Sequence, residues 1–288
     1  MKSRKRKKRR VIWIIILIVL IAFSVWVYWE NTSIQATQIS ISSKKILKSF
    51  DGFTIVQVSD LHNAEFSDDQ NRLLSAIKDV SPDIITITGD LIDSRHTDIK
   101  KAMKFLNGAV AIAPVYYVTG NHEARVDEYT ELETKMTNAG VIVLRDESTT
   151  LELGGNFISL LGLDDPSFTM KEDTSGDSEA MICAKLEDIL SKENGYTILL
   201  SHRPEFFDVY VENGIDLVLS GHAHGGQIRL PFIGGLVAPN QGLFPKYYEG
   251  VYKEEQTTMI VSRGLGNSII PVRINNRPEL IIVTLNIT

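Results

Sequence analysis

Residues 53–62, FTIVQVSDLH, join a run of apolar and β-branched residues to the pair Asp60 and His62. An unbroken run of this kind predicts a strand that is buried on both faces of a sheet. The arrangement returns at four further places, where an apolar run ends in Gly89-Asp90, Gly120-Asn121-His122-Glu123, Ser201-His202 and Gly221-His222-Ala223-His224. Polar groups just beyond the carboxyl ends of strands form the site in open α/β sheets. We therefore expect the five motifs to converge.

The runs between and after these motifs predict the fold. Helical patterns follow three of the early runs, at residues 68–80, about 98–113 and about 126–139. Alternation of strand and helix predicts βαβ units. The second half of the chain is richer in strands, in the runs VIVL, FISLLGL, YTILLS, DLVLS, TTMIVS and LIIVTLN. We expect an α/β domain in which two mixed β-sheets pack face to face as a sandwich and are flanked by helices.

The first 29 residues have a composition of their own. Residues 1–10, MKSRKRKKRR, hold eight Lys and Arg and no acid, whereas residues 11–29, VIWIIILIVLIAFSVWVYW, hold no charge. Nineteen helical residues, at about 1.5 Å each, span the roughly 30 Å core of a bilayer. The cations precede the apolar segment, so the positive-inside rule predicts a cytoplasmic N-terminus and an extracytoplasmic domain at the cell membrane.

Other interpretations of this segment stay open. A cleaved signal peptide has a shorter apolar core and a small-x-small site after it, which Ile34-Gln35-Ala36 matches poorly. Arg9-Arg10 resembles a twin-arginine signal but lies within a longer basic run. We expect a basic tail at 1–10, an uncleaved single transmembrane helix at 11–29, a polar linker at 30–38 and one globular domain at 39–288.

The globular part is acidic. Without the eight basic residues of the tail, 22 Lys and Arg remain against 36 Asp and Glu, a net charge of about −14. Such a domain repels polyanions, so no nucleic-acid partner is expected. The single cysteine, Cys183, excludes an internal disulfide. It falls in a predicted amphipathic helix, where we expect it to pack.

The motif side chains are suited to divalent cations. Five of the six histidines lie in the motifs, together with carboxylates and the amide of Asn121, and only His96 lies outside. Mixed nitrogen and oxygen ligands favour manganese, iron or zinc, and the lack of thiolates argues against a structural zinc site. Gly89 lets the backbone come close beside Asp90, whose carboxylate can bridge two ions. The sequence therefore predicts a site for two divalent metal ions.

Taken together and in this order, the motifs resemble the calcineurin-like metallophosphoesterase superfamily. Its pattern reads D-x-H, G-D-x-x-D, G-N-H-[DE], H and G-H-x-H, and every element is present over residues 39–288. Within that superfamily the chain looks most like bacterial membrane-associated phosphodiesterases. The stretches that carry this resemblance are VSDLHN, GDLID, TGNHE, LSHRPE, GHAHGGQ and SRGLGNS.

The resemblance implies a role for each matching residue. One metal is expected on Asp60, His62, Asp90 and His224, and the other on Asp90, Asn121, His202 and His222. Manganese is the favoured metal, with zinc or iron as alternatives. His122 matches the histidine that contacts the phosphate and protonates the leaving oxygen. Asp93 matches the acid that orients that histidine, although it can equally be a turn or helix-cap residue.

The implied reaction is hydrolysis of a phosphodiester by a hydroxide that bridges the two metals, with His122 as general acid. Arg263 is a candidate for binding the substrate phosphate, and a surface ion pair is its alternative. Glu123 can equally be a charge at a helix start. Residues 164–180 are polar and acidic, and predict either a flap near the site or a solvated loop. His96 is expected to be dispensable.

Three other functions stay open. Phosphoprotein phosphatases share two of the motifs but carry an arginine directly after the second Asp, where this chain has Ser94 and then Arg95. UDP-diacylglucosamine pyrophosphatases act on a lipid-linked pyrophosphate in the cytoplasm, which the predicted topology disfavours. A binding protein without catalysis is disfavoured because no ligand is missing. The favoured substrate is a phosphodiester, either a lipid or a wall polymer, near the membrane that the N-terminal helix anchors.

Overall fold

Two six-stranded mixed sheets face each other at the centre of the computed structural model. The structure describes residues 2–170, 175–190, 195–230, 232–267 and 272–288. Side chains are described from residue 7 in the first of these ranges and from residue 177 in the second. The strands are β1 (Gln35–Ser43), β2 (Thr54–Val58), β3 (Ile84–Thr88), β4 (Val115–Val118), β5 (Ile142–Val143), β6 (Glu147–Leu153), β7 (Asn156–Gly162), β8 (Thr197–Leu200), β9 (Leu217–Ser220), β10 (Arg229–Leu230), β11 (Gly234–Gly235), β12 (Val237–Ala238), β13 (Gly242–Leu243), β14 (Gly250–Glu254), β15 (Thr257–Val261) and β16 (Glu279–Ile287). The helices are α1 (Lys2–Thr32), α2 (Asn71–Val80), α3 (Ile99–Val110), α4 (Tyr129–Asn138), α5 (Ser175–Leu190) and α6 (Phe207–Glu212).

The first sheet has the order β1-β16-β2-β3-β4-β5, and the second has the order β14-β15-β9-β8-β7-β6. Strands β2, β3, β4 and β5 run parallel, and so do β7, β8, β9 and β15. Antiparallel pairs join β16 to β2, β14 to β15 and β6 to β7. Both sheets are therefore mixed, as the strand-rich pattern of the sequence predicted.

Three apolar layers hold the sandwich together. Between the sheets lies a core that includes Ile55 of β2 and Ile198 of β8. The next residue in each strand points to the other face, so that Val56 packs under helices α2, α3 and α4 and Leu199 packs under α5 and α6. This alternation across continuous Val, Ile and Leu runs explains why both faces of each sheet are buried. The expected sandwich flanked by helices is confirmed.

Helix α1 contains one segment, Lys7–Thr32, that is long and apolar enough to cross a membrane, with a mean hydropathy of 2.9 in its most apolar window and no buried residue there. Where we expected a polar linker over residues 30–38, the helix continues to Thr32 and β1 begins at Gln35. The reason is pairing that the local composition does not show. β1 lies parallel to β16 over nine residues, from Gln35 opposite Glu279 to Ser43 opposite Ile287.

The polar stretch 164–180 is not simply a solvated loop. Asp164 and Asp165 are buried, and they pair with Arg145 and Arg203 at 2.7 and 2.6 Å. From Ser175 the chain forms helix α5, in which Cys183 packs beside the core under the second sheet. Residues 171–174 of the expected flap lie outside the described residues.

Candidate active site

The five motifs meet at one end of the sandwich, in the loops that follow parallel strands. Asp60 and His62 follow β2, Asp90 follows β3, Asn121 and His122 follow β4, His202 follows β8, and His222 and His224 follow β9. All of these residues are buried. Strands from both sheets therefore contribute to one site, as expected for groups beyond the carboxyl ends of strands.

The first group of possible ligands comprises Asp60, His62, Asp90 and His224, whose ligand atoms lie within 4.8 Å of one another. The Nε2 atoms of His62 and His224 are 3.2 Å apart, and Asp60 Oδ1 lies 3.3 Å from His224 Nε2. His62 Nε2 also lies 3.6 Å from Asp90 Oδ2. Two imidazole nitrogens and two carboxylates thus face a single point.

The second group comprises Asp90, His202 and His222. His202 Nε2 lies 3.2 Å from Asp90 Oδ2 and 3.1 Å from His222 Nδ1. Asn121 Oδ1 lies 3.3 Å from the same His202 nitrogen. Asp90 belongs to both groups, so its carboxylate lies where a bridging ligand is required. The structure brings together all seven residues that the sequence predicted as metal ligands.

These residues fit two divalent cations. His62 Nε2 and His224 Nε2 lie 3.2 Å apart, and the carboxylates of Asp60 and Asp90 are buried beside them. Buried charges are costly in a folded protein unless they are paired or coordinate a metal. A cation placed among these atoms would accept the Nε2 lone pairs and neutralise the carboxylates. Nitrogen and oxygen ligands without thiolates suit manganese, zinc or iron.

The predicted histidine ligands differ in the direction in which their pKa values are shifted. Burial lowers the pKa of His62 to about 3 and places the pKa values of His222 and His224 well below the usual range, so these imidazoles are neutral and able to bind a metal. Burial also lowers the pKa of His202, but the adjacent Asp90 carboxylate outweighs it and raises that pKa to about 10. His202 would therefore have to lose a proton before it could hold a metal at the second group.

The pKa values of the Asp60 and Asp90 carboxyl groups are shifted in opposite directions. Burial raises the pKa of Asp60 to about 6, and the negative charge of Asp90 adds to this rise. Burial also acts to raise the pKa of Asp90, but the positive charges of His202 and His122 dominate and hold it well below its usual range. Asp90 is thus the permanent anion at the centre of the site, consistent with a position between two cations.

Five of the seven predicted ligands have a left-handed backbone. The φ angles are 50° for Asp60, 46° for His62, 52° for Asp90, 67° for His222 and 49° for His224. Non-glycine residues rarely adopt such angles, and the strain concentrates at functional sites where the surrounding structure imposes it. Here the left-handed residues turn Asp60 and His62 toward the first group, and they direct His222 to the second group and His224 to the first.

Glycines allow the ligand loops to approach one another. Gly89 has a φ of 84°, and a Cβ atom there would lie 2.7 Å from His202 Nδ1. A Cβ atom on Gly120 would overlap the Asp90 carboxylate, and one on Gly221 would overlap Ser59 and Asp60. The glycine that precedes each of Asp90, Asn121 and His222 is therefore required by close packing and, at Gly89, also by its backbone angle.

His122 lies at the edge of the first group, with its ring 4.4 Å from that of His62. The backbone N–H of Ser94 donates to His122 Nδ1 at 3.0 Å. Because Nδ1 accepts a hydrogen bond, a neutral His122 carries its proton on Nε2. Burial lowers the pKa of His122 more than Asp90 raises it. The ring can therefore present a proton at Nε2.

Asp93 does not hold His122 by a hydrogen bond. Its Oδ1 lies 3.8 Å from His122 Nδ1, and the carboxylate accepts hydrogen bonds from the backbone and the guanidinium of Arg95, at 2.8 to 3.3 Å. Burial raises the pKa of Asp93, but the hydrogen bonds from Arg95 outweigh it and the net pKa is lowered. The orienting contact expected from Asp93 is made instead by the backbone of Ser94.

Glu123 is a site residue that sequence reasoning left undecided. It is fully buried, and its carboxylate accepts hydrogen bonds from the backbone N–H groups of Asp90, Ile92 and Gly120 at 2.9, 3.2 and 2.8 Å. Burial raises its pKa to about 7. The carboxylate thus joins two ligand loops. Its position directly after Asn121-His122 is the sequence signal that could have identified Glu123 as a site residue.

Arg263 is not among the residues that line the cleft over the site. Its guanidinium pairs with Glu279 at 2.9 Å and lies 3.7 Å from Glu249, and the residue is only 5% exposed. The expected role in binding the substrate phosphate does not fit this position, because β16 brings Glu279 against the 262–266 loop. A different arginine, Arg203, lies deep beside the second group. It pairs with Asp165 and its Nη1 is 3.3 Å from His222 Nε2.

A cleft of about 540 Å³ opens over both ligand groups. Its walls include Asp90, Ser94, Arg95, Asn121, His122, Arg125, His222, His224, Pro239 and Asn240. Arg95 and Arg125 are the cations of this lining. Sequence reasoning named Arg95 only as a departure from phosphatases and did not name Arg125. A cleft with two arginines beside two cation sites can bind a phosphate ester.

The sequence and the fold are both shared with known proteins. The family model for calcineurin-like phosphoesterases matches residues 53–226. A Bacillus subtilis protein named uncharacterized metallophosphoesterase YkuE is 34% identical over 91% of this chain and 88% of its own. Phosphodiesterase YaeI of Escherichia coli is 27% identical over 81% of this chain and 82% of its own.

The structure of TT1561 from Thermus thermophilus superposes with a TM-score of 0.52 at 12% identity, covers 74% of this chain and 90% of that protein, and so shares the fold alone. The sequence matches extend from the first motif through the last. They agree with a site of clustered His and Asp residues at the ends of parallel strands. The chain belongs to the calcineurin-like phosphoesterase family and is a metal-dependent hydrolase of phosphoric esters.

Proposed function

We propose that this protein is a membrane-anchored phosphodiesterase that works with two divalent cations. The observation that carries the proposal is the pair of ligand groups that share Asp90 beneath a cleft with two arginines. Asp60, His62, Asp90 and His224 would hold one cation, and Asp90, Asn121, His202 and His222 the other. Manganese is the metal we propose, and zinc and iron are the alternatives that this ligand set also suits.

When bound, the two cations supply Lewis-acid polarisation of the phosphoryl oxygens and an activated water. Arg95 and Arg125 would bind the non-bridging oxygens from the side of the cleft. Arg95 is partly positioned for this by Asp93, which accepts hydrogen bonds from it. The arginines thereby align the phosphorus with the groups beneath it.

His122 would act as the general acid. The acid form is the imidazolium, whose Nδ1–H can donate to Ser94 Oγ at 3.2 Å while its Nε2–H serves the oxygen that leaves the phosphorus. The lowered pKa of His122 makes the imidazolium a stronger acid. Loss of the Nε2 proton would leave a neutral ring, and a proton from solvent through the open cleft would restore the imidazolium.

The diester preference rests on the name of the Escherichia coli relative and on the Gly-His-Ala-His-Gly-Gly loop. Purified full-length protein in detergent would be stripped of metal, reloaded with Mn²⁺, Zn²⁺ or Mg²⁺, and assayed on bis-p-nitrophenyl phosphate and p-nitrophenyl phosphate. We expect metal-dependent cleavage of the diester well above that of the monoester. Absence of cleavage in folded, metal-loaded protein would refute the proposed activity.

A phosphomonoesterase is the second candidate, because two arginines along the cleft also suit a dianionic phosphate. A higher rate on the monoester would establish it. A lipid pyrophosphatase of the UDP-diacylglucosamine type is the third. It requires a cytoplasmic domain, whereas the cations before the apolar segment favour an extracytoplasmic one.

We propose a single-pass topology at the cell membrane, with residues 1–10 in the cytoplasm and the catalytic domain outside. The support is the exposed apolar surface of α1 and the eight cations before it. Protease added to intact cells should degrade the catalytic domain and leave a cytoplasmic control protein intact. Protection of the domain would overturn this topology and revive the pyrophosphatase.

A further inference from the structure

A second apolar surface lies far along the chain from helix α1. The side chains of Leu230, Phe232 and Ile233 at one hairpin and of Leu243 and Phe244 at another are exposed, and Phe232 is completely so. We call these five residues the apolar hairpin surface. Clusters of exposed large apolar side chains mark contacts with a protein or a membrane, whereas single ones are ordinary.

Backbone hydrogen bonds connect the two hairpins to each other and to the active site. β10 pairs with β11, β12 pairs with β13, and the backbone N–H of Phe244 donates to Leu236 O at 3.0 Å, which joins one hairpin to the other. Leu236 N donates to Gly226 O at 3.2 Å, two residues after the ligand His224. The turn of the second hairpin supplies Pro239 and Asn240 to the cleft. The apolar hairpin surface is therefore part of the same loop region that forms one rim of the cleft.

Contacts through one segment also link the first hairpin to the end of helix α1. Residues 273–277 lie between the two. On one side Asn276 N donates to Glu30 Oε2 at 3.1 Å, Arg273 N donates to Asn31 Oδ1 at 2.8 Å, and the guanidinium of Arg277 lies 4.6 Å from the ring centre of Trp29. On the other side Arg229 N donates to Ile274 O at 3.1 Å, one residue before Leu230.

We propose that the apolar hairpin surface is a second membrane contact, which inserts into the same bilayer leaflet that α1 leaves and holds the cleft at the level of the lipid head groups. The inference rests on the proposed function, since it takes α1 to be a membrane anchor. It deepens that function by naming the substrate class, a phosphodiester in the head group of a membrane lipid. A soluble diester needs no such docking.

The charge of the domain determines the kind of contact. Residues 11–288 carry a net charge of about −14, so attraction to anionic lipids cannot drive the binding. Burial of Phe232, Ile233, Leu243 and Phe244 among acyl chains can, and it is insensitive to salt. The proposed contact therefore resembles an interfacial apolar anchor rather than a basic surface patch.

The first test measures how deeply the apolar hairpin surface lies in the bilayer, and it does not depend on enzymatic activity. Full-length protein carrying Cys183→Ala is reconstituted into phosphatidylcholine vesicles with a minority of phosphatidylglycerol. A nitroxide is attached at Phe232→Cys, and the control label is attached at Phe157→Cys, an exposed phenylalanine of β7 outside the hairpins. At position 232 we expect high collision with oxygen and low collision with a polar nickel reagent, at low and high salt alike. At position 157 we expect the reverse.

The second test measures the consequence for substrate. A variant with Phe232, Ile233, Leu243 and Phe244 all changed to Ser should cleave bis-p-nitrophenyl phosphate at the unaltered rate, and should lose about tenfold on a lipid head-group diester in the same vesicles, as expected when the substrate is no longer aligned. Unchanged melting temperature would show that the exposed substitutions leave the fold intact.

The outcomes separate the two proposals. A water-exposed label at 232, or equal loss on both substrates, overturns the membrane contact while the soluble diester assay still reports the phosphodiesterase. A label shielded from both collision reagents, with spin–spin broadening that grows with protein concentration, would assign the apolar hairpin surface to a second copy of the chain and also overturn the membrane contact. Loss of all diester cleavage in the parent protein would instead defeat the proposed function.

Discussion

The carboxylate of Glu123 accepts hydrogen bonds from the backbone N–H groups of Asp90 and Gly120, at 2.9 and 2.8 Å, and so connects the loops that follow β3 and β4. One loop carries the shared ligand Asp90 and the other carries Asn121 and His122. The two ligand groups are therefore held in register by a residue that contacts neither the cleft nor a predicted cation.

Glu123→Gln should weaken metal binding without removing a ligand. The amide replaces one acceptor oxygen with a donor, which then faces a backbone N–H. We expect a loss of metal affinity on the order of 10- to 100-fold, as is usual for residues that support metal ligands. Titration of the metal-free protein with Mn²⁺ measures it. Glu131→Gln, at an exposed pair with Lys135, is the matched control and should bind metal normally.

His122→Ala should retain both metals and lose rate. The imidazole belongs to neither predicted set of metal ligands, and removing a general acid costs roughly 10²- to 10⁴-fold in kcat. Metal analysis and turnover on a diester with a poor leaving group would be measured together. His96→Ala is the control and should turn over normally, since His96 lies outside the cleft lining. Normal turnover in His122→Ala would show that the acid lies elsewhere.

Asp93→Asn should affect substrate binding more than the chemical step. Asp93 accepts hydrogen bonds from Arg95 and lies 3.8 Å from His122 Nδ1, which the Ser94 N–H already occupies. We expect KM to rise several-fold, with kcat reduced by less than about tenfold. A loss of kcat as large as that of His122→Ala would restore Asp93 as the residue that orients the acid.

Metal binding should release a proton, and affinity should fall as the pH is lowered. The pKa of His202 is raised to about 10 beside Asp90, so at neutral pH this imidazole is protonated before metal binds and must lose its proton to become a ligand. Below about pH 6 Asp60 also takes up a proton and competes further. Calorimetry in two buffers of different ionisation enthalpy counts the protons. No release at pH 7.5 would contradict the raised pKa.

Substitution of Arg125 should affect substrate binding, whereas substitution of Arg263 should affect stability. Arg125→Gln removes a cation from the cleft, so KM should rise while the melting temperature stays the same. Arg263→Gln leaves the buried Glu279 without its charged partner, a change that typically costs about 3–5 kcal/mol of unfolding free energy. Thermal unfolding and Michaelis constants of both variants check this. A raised KM with normal stability in Arg263→Gln would show instead that Arg263 binds the substrate.

Much of the architecture follows from local sequence. Runs such as FTIVQVS and YTILLS are long enough and apolar enough to require burial on both faces, and each ends at a polar motif. Strand periodicity is a property of neighbouring residues, so it can be recognised without the fold. The ligand types could be named for the same reason, because Asp60-x-His62 and His222-x-His224 are adjacent in the chain.

The pairing of β1 with β16 shows where local reasoning stops. Residues 35–43 are too polar to predict a buried strand, and they are ordered by hydrogen bonds to a segment about 240 residues later. Such pairing depends on chain topology, which composition does not encode.

The sequence by itself determined the class of fold, the seven predicted ligands and the apolar N-terminal segment, because these depend on residue type and on short spacings. Only the tertiary structure decided the use of each remaining charge. It places Glu279 beside Arg263, and Glu123 beside the backbone of Asp90. Each of these contacts joins residues that are far apart in the chain, and the distance between them is set only after the sheets have packed.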